Sequence, residues 1–504
     1  LPTGERIAQS HKRKIVDRLA QLHAEIEELI EQVTEEATRH INSWAQWDIR
    51  PEFLPSVENL AAYLALRHHD LRPTQRQLMA LGLSSLGRLE SRVLPTLAAV
   101  RSAPEAMLGR SQPVADDKAF FDGEERLRAR AKRLFGPRSQ SRAAALLVTC
   151  PSEAAEDPVF MLHLAQRGVE AIRINCAHDD ADAWGRMIAN VRAAEAKIGR
   201  PMRVFMDLAG PKIRTGAVRH APDRKRVLTG DRIAMVAAGE LDRTTAVDVS
   251  FAVECTLPEA IGAAQPGHRL FIDDGKVMAT IERSRDGVLT ALVTRCKDEG
   301  ARLKPEKGLN FPDTLLSIPA LTAKDREDLR FVAAEADGIS FSFVQSADDI
   351  AQLQDALAEL RPADWSSRSL ILKIETARAI QNLPDIVIRA GARQPVAIMI
   401  ARGDLAIEIG FTRMAEMQEE ILWIGEAAQV PVIWATQVLE HLVKEGLPNR
   451  GELTDAAMAV RAECLMLNKG PYFLEAIEEL DRLLGRMDDH VHKKTPQLRR
   501  LASW

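Results

Sequence analysis

The chain has 504 residues, enough for about three domains with large buried cores at a prior of roughly 150 residues each. Hydrophobic residues make up 46% and charged residues 28%, a globular composition that excludes a peptide hormone, a disulfide knot or a disordered chain. The formal net charge of −5 leaves no bulk basic footprint for nucleic acid or for an anionic membrane surface, so an anionic substrate must be met by local positive charge.

The chain opens on Leu1 rather than Met, and the stretch to Lys14 is polar rather than signal-like. The five cysteines, Cys150, Cys176, Cys255, Cys296 and Cys464, are scattered with no CxxC pair or zinc-ligand spacing, which fits a reducing compartment. No apolar run approaches the roughly 18 residues of a membrane span. A cytoplasmic location is expected, with a removed organellar targeting segment compatible with the same start.

Ile15, Leu19, Leu22, Ile26, Leu29 and Val33 recur at steps of four and three, which predicts one stripe of a long amphipathic helix. From Asn59 to Pro104 the pattern stays helical, broken at Asp70 to Pro73 and at Gly82 to Ser85. The basic residues between Arg67 and Arg76 read as a solvated helix end. Residues 1–142 are therefore expected to be an all-helical region that serves packing or homo-oligomerisation.

The texture then changes to short apolar runs, each followed by a helix-like stretch. They are Ala143 to Thr149, Ala171 to Asn175, Arg203 to Asp207, Gly338 to Phe343, Leu370 to Ile374, Val396 to Ile400, Val430 to Trp434 and Cys464 to Leu467. Eight such runs alternating with helices predict an α/β fold, a (β/α)₈ TIM barrel over 143–215 and 301–504, with its chemistry at the C-terminal strand ends. Strand-like segments at Arg224 to Val236, Arg269 to Arg283 and Val288 to Cys296 predict a small β-barrel inserted at 216–300, where it can act as a lid.

Two segments past the strand ends carry the strongest chemistry. Lys373-Ile374-Glu375 and Ala401-Arg402-Gly403-Asp404 each put an acid beyond a buried strand, where two carboxylates can share a divalent cation. The strand period points Lys373 and Glu375 the same way. A second group, Arg173-Ile174-Asn175 and Asp207 to Gly216, adds Arg173 and Arg214, whose forked guanidinium groups suit phosphate oxygens.

In these motifs the chain resembles the pyruvate kinase family, from Ala143 to about Leu484. Arg173-Ile174-Asn175 is similar to RLNFSHG, Asp207 to Gly216 to DTKGPEIRTG, Ile272 to Gly275 to VDDG, and Lys307 to Asn310 to KGVN. Phe341-Ser342-Phe343-Val344 resembles ASFV, Lys373 to Glu375 KIE, Ala401 to Leu405 ARGDL and Ala435 to Gln437 ATQ. The resemblance implies a phosphotransferase that converts phosphoenolpyruvate and ADP to pyruvate and ATP. It assigns Glu375 and Asp404 to Mg²⁺ or Mn²⁺, and makes Lys373, Thr436 and Arg173 catalytic. Gly403, Asp404, Ser342, Lys373 and Thr436 would bind substrate, and Arg173, Arg214, Asn175, Asp274 and Lys307 the nucleotide.

The departures from the family pattern are specific. Asn175 and Asp207 remain from its monovalent-cation site, but Ala177 and Leu208 replace the two hydroxyl residues. Lys212 stands where potassium-dependent members carry Glu, so its ammonium is expected to substitute for potassium, which is then not required. Ala209 replaces a lysine, Gln345 an arginine, and Asn468 to Pro471 the loop after the eighth strand. Two other readings stay open at this stage: metal-dependent enolate chemistry on another 2-oxo acid, and a catalytically silent barrel that recruits a protein partner.

Overall fold

The computed structural model describes residues 2–110, 116–139, 141–246, 249–316 and 318–496. Five helices come first: α1 (Pro2–Trp44), α2 (Leu54–Arg67), α3 (Arg72–Ala80), α4 (Val93–Met107) and α5 (Asp117–Phe135). The predicted stripe of α1 is buried at Leu19, Leu22, Ile26, Leu29 and Val33, where the helix packs on α2 and α4. Ile15 departs from the expectation at 51% exposed. α1 has 43 residues against 14 in α2 and 15 in α4, so these two helices are too short to cover its whole length.

The strands follow in chain order as β1 (Ala145–Thr149), β2 (Ala171–Asn175), β3 (Arg203–Asp207), β4 (Thr215–Arg219), β5 (Arg232–Ala237), β6 (Phe251–Cys255), β7 (Arg269–Ile272), β8 (Val277–Arg285), β9 (Val288–Arg295), β10 (Leu309–Asn310), β11 (Gly338–Phe341), β12 (Ser369–Ile374), β13 (Val396–Ala401), β14 (Val432–Ala435) and β15 (Cys464–Leu467). β1, β15, β14, β13, β12, β11, β3 and β2 close, in that order, into one parallel barrel. The apolar runs are continuous because inward residues fill the barrel while outward ones meet the surrounding helices.

Two strand limits move for local reasons. β14 starts after Pro431, which has no N–H for the ladder, and β11 ends at Phe341 because Phe343 turns out of the sheet with φ of +54°. A second sheet holds seven strands in the order β10, β7, β8, β9, β5, β6, β4. Its outer strands, β4 and β10, reach past the 216–300 segment. They are drawn together where Thr215 N–H donates to Lys307 O at 2.8 Å and Leu309 N–H to Ile213 O at 2.9 Å.

The helical region packs on the N-terminal end of the barrel, opposite the end where the strands release their polar residues. Ala131, Leu134 and Phe135 at the end of α5 join the same apolar cluster as Ala145, Ala171, Phe205 and Cys464, so α5 plugs the barrel mouth. Arg50 donates to Gly391 O and Gln394 O, Ser56 to Gln429 Oε1 at 2.6 Å, and Arg130 to Gln429 O at 3.0 Å. Phe53 lies against Gly391, where a Cβ would meet its ring at 2.2 Å. A C-terminal hairpin, Val491–His492 with Thr495–Pro496, returns to this seam and pairs His492 with Glu124, Lys493 with Glu463 and Lys494 with Glu90. Among the described residues no helix is long and apolar enough to cross a membrane.

Candidate active site

β12 delivers Lys373 and Glu375 to the C-terminal end of the barrel on one side of the chain, as the two-residue period requires. Lys373 is 9% exposed, and its Nζ donates to Ser342 Oγ at 2.8 Å. The same Nζ lies 3.0 Å from Glu375 Oε1 and 3.4 Å from Asp207 Oδ2. Burial pulls the ammonium down, but Glu375 and Asp207 together hold it above its ordinary value, so Lys373 is a fixed cation.

Asp207 carries the charge of two neighbours. Arg173 reaches Oδ2 through Nε and Nη2, both at 2.8 Å, and also donates to Thr149 Oγ1 at 3.2 Å. Burial raises the Asp207 carboxyl, but Arg173 and Lys373 overcome this and keep it below the usual range. Asp207 is the residue whose weight sequence reasoning missed. The signal was its place at the end of β3, level with Asn175 in the β2 register.

Glu375 sits between opposite influences. Burial pushes its carboxyl up and Asp404 adds to this, against the pull of Lys373 and of Phe343 N–H, which donates to Oε2 at 2.6 Å. A buried Glu375 and a half-buried Asp404 that repel one another form a hard-oxygen donor pair whose repulsion a divalent cation would relieve. The chemistry of the pair fits a divalent cation. Lys212 approaches from the root of the lid and donates to Asp404 Oδ1 at 2.8 Å.

The substrate end is shaped by close backbone approach. Gly403 lies in the first turn of the helix Arg402–Ile409, where a Cβ would meet Thr436 Cγ2 at 2.8 Å. Thr436 and Gln437 both have positive φ, +67° and +57°, costly for side-chain-bearing residues and held by the surroundings. Arg402 does the holding: its Nε donates to Ala435 O at 2.9 Å and its Nη2 to Thr436 O at 2.6 Å. Sequence reasoning passed over Arg402, although it stands inside the ARGDL motif.

The nucleotide candidates are less concentrated. Asn175 Oδ1 accepts from Ala177 N–H at 3.1 Å. Arg214 donates to Glu306 O at 3.1 Å, and Lys307 lies 3.5 Å from Asp273, so both have partners beside the second sheet. Asp274 and Lys212 flank Gly308, where a Cβ would be 3.8 Å from Asp274 Oδ1 and 3.3 Å from Lys212 Cε. His178 is held below its ordinary value by burial and then by Lys469, with Arg214 and Arg173 adding to it against Asp179.

A family model described as "Pyruvate kinase, barrel domain" matches residues 142–477. A pyruvate kinase of Agrobacterium vitis is 33% identical over 364 residues, which cover 70% of either chain. One from Methylorubrum extorquens is 31% identical over 360 residues, 69% of either chain. Pyruvate kinase 1 of Trypanosoma brucei brucei is 29% identical over 367 residues, 71% of this chain and 70% of that one. A closed parallel barrel with a second sheet leaving it after β3, a lysine and two acids at its C-terminal end, and a family match across two thirds of the chain lead to one conclusion: the chain belongs to the pyruvate kinase family and is a phosphotransferase.

Proposed function

We propose that this chain transfers a phosphoryl group between phosphoenolpyruvate and ADP, giving pyruvate and ATP, with Mg²⁺ or Mn²⁺ and without potassium. The observation that carries this reading is the Lys373 ammonium, held by Ser342, Glu375 and Asp207 beside the Glu375 and Asp404 carboxylates. Loss of the phosphoryl group leaves an enolate, and phosphoryl transfer itself needs positioning and charge stabilisation rather than covalent help from the protein.

In this reading Lys373 stabilises charge on the oxygen shared by the transferring phosphoryl group and the enolate. Arg173, anchored on Asp207, holds phosphoryl oxygens. The N–H groups of Gly403 and Asp404, free at a helix start, receive the substrate carboxylate. Thr436 faces the carbon that gains a proton. Glu375 and Asp404 hold the divalent ion, which when bound neutralises phosphoryl and enolate oxygens. Lys212 supplies a permanent positive charge where Ala177 and Leu208 leave a monovalent cation with too few oxygens. Asn175, Arg214, Asp274 and Lys307 take the nucleotide.

The test is pyruvate formation by the purified full chain, followed through a lactate dehydrogenase couple, with Mg²⁺ or with chelator and with Na⁺ or K⁺. Turnover that needs ADP and Mg²⁺ and is indifferent to K⁺ supports the proposal. Absence of ADP-dependent turnover with phosphoenolpyruvate overturns it.

A further inference from the structure

A cavity of about 280 Å³ lies beneath both connections between lid and barrel, roofed by Pro211 to Ile213 on the way out and by Leu309 to Pro312 on the way back. Its floor is Phe343, Gln345 and the turn Thr376 to Arg378 after β12. Lys373, Asp207, Arg173, Gly403 and Thr436 are not among its walls. Only Lys212 and Phe343 are shared with the site described above, and they form the partition.

The chemistry of the lining is one-sided. Ile213, Leu309, Phe311 and Phe343 make an apolar body, with Leu309 and Phe311 buried. Of the acids on the wall, Asp313 is paired with Arg269 at 2.6 Å, and Glu408 accepts from Asn310 and from Ala377 N–H. Burial pushes the Glu408 carboxyl up to about 7, so at neutral pH it is only partly ionised. Lys212 is spoken for by Asp404. The guanidinium of Arg378, at the mouth, makes no ion pair or side-chain hydrogen bond among the described residues.

We infer that this cavity is a second ligand site, for a small molecule with an apolar body and one carboxylate, the body among Ile213, Leu309, Phe311 and Phe343 and the carboxylate on Arg378. An occupant touches both lid connections and the barrel at once, so it fixes the angle of the lid. It also touches Phe343, whose N–H holds Glu375 Oε2 from a strained positive φ, so occupancy is felt at a metal-ligand candidate.

The probe is 3-phenylpropionate, with its uncharged amide as control, titrated into the full chain by ligand-observed saturation-transfer NMR. Saturable binding of the acid is expected, with the amide weaker by roughly fivefold or more, the share of a charge-assisted hydrogen bond. Arg378→Gln should erase the difference between acid and amide, and Ala377→Phe, which fills the cavity, should abolish both. Arg378 is exposed, so its variant reports even if the filled one does not fold. No saturable binding to the native chain, equal binding of acid and amide, or undiminished acid binding to Arg378→Gln overturns the inference.

Discussion

Lys212 donates to Asp404 Oδ1 at 2.8 Å, joining residues 192 positions apart and tying the root of the lid to the barrel helix that carries a metal-ligand candidate. In the proposed function the contact places the Lys212 ammonium beside the metal-ligand candidate Asp404. Initial rates of the native protein should therefore be flat against added K⁺, and Lys212→Glu should lose activity. K⁺ should restore that variant poorly, because Ala177 and Leu208 offer no hydroxyl. Rates and thermal melts measured together decide the matter: a variant that is less stable but equally active per folded molecule would make Lys212 a purely structural partner.

Lys373→Ala removes the ammonium that lies 3.0 Å from Glu375 and 3.4 Å from Asp207. The kcat is expected to fall by about 10²- to 10³-fold, the scale of losing one preorganised charge-stabilising group. Stability should fall as well, by about 3 kcal/mol, since buried Glu375 loses its ammonium partner while Asp207 keeps only Arg173. Steady-state kinetics and urea melts check both, and near-native turnover would remove Lys373 from the chemistry.

Gly403→Ala tests the approach of the helix start to Thr436. The added methyl would meet Thr436 Cγ2 at 2.8 Å, while alanine is the better helix former. Activity is expected to drop by about 10- to 100-fold, the order that a misplacement near 1 Å costs, with the melting temperature unchanged or higher. The second variant Gly403→Ala/Thr436→Ser removes the clashing methyl and should regain part of any lost substrate affinity. A fully active single variant would mean that this contact yields freely.

Deletion of residues before 143 is expected to destroy soluble expression, because it withdraws α5 from the barrel mouth and exposes Ala145, Ala171, Phe205 and Cys464. The sequence taken alone points to a packing or oligomerisation module whose removal changes assembly or solubility more than chemistry. Soluble, active truncated protein, verified by size-exclusion chromatography, would contradict the plugged barrel.

Glu124 links α5 to the C-terminal hairpin. Its hydrogen bond with His492, with Arg128 and Arg92 alongside, holds its carboxyl down at about 2, below an ordinary 4.5. A depressed carboxylate contributes stability that is present above its unfolded value and is lost as pH falls towards its folded one. Native thermal stability should therefore decline between pH 4.5 and 2, and Glu124→Gln should be less stable above pH 5 and flatter across that window. Parallel melts across pH would expose the opposite outcome, equal slopes for the two proteins.

How far the sequence could be read follows from the range of the interactions. The barrel strands were legible because most of their residues are buried on both faces and written as near-continuous apolar runs, Val396 to Ala401 or Cys464 to Leu467. β10, only Leu309–Asn310, is too short to leave a pattern, and the edge strand β4 carries Gly216 and polar ends. The shared side of Lys373 and Glu375 was legible from a two-residue period. The Lys212 contact with Asp404 and the double role of Asp207 were not, since nothing local records which distant side chain arrives. The same limit hid α5: its helical spacing says which face is buried but not that Phe135 meets Phe205, with ring centres 6.0 Å apart.

The seam at the base of the barrel also sets an order of events during synthesis. Trp44, Ser56 and Arg130 wait for Asp385 and Gln429, roughly 300 or more residues downstream, and Glu90 and Glu124 wait for Lys494 and His492 almost at the end of the chain. The helical region leaves the ribosome before the barrel and gains these partners only after the barrel has been made. For most of translation its apolar underside has nothing to cover it, so slow elongation or a weakened hairpin should raise aggregation of nascent chains before any enzyme has formed.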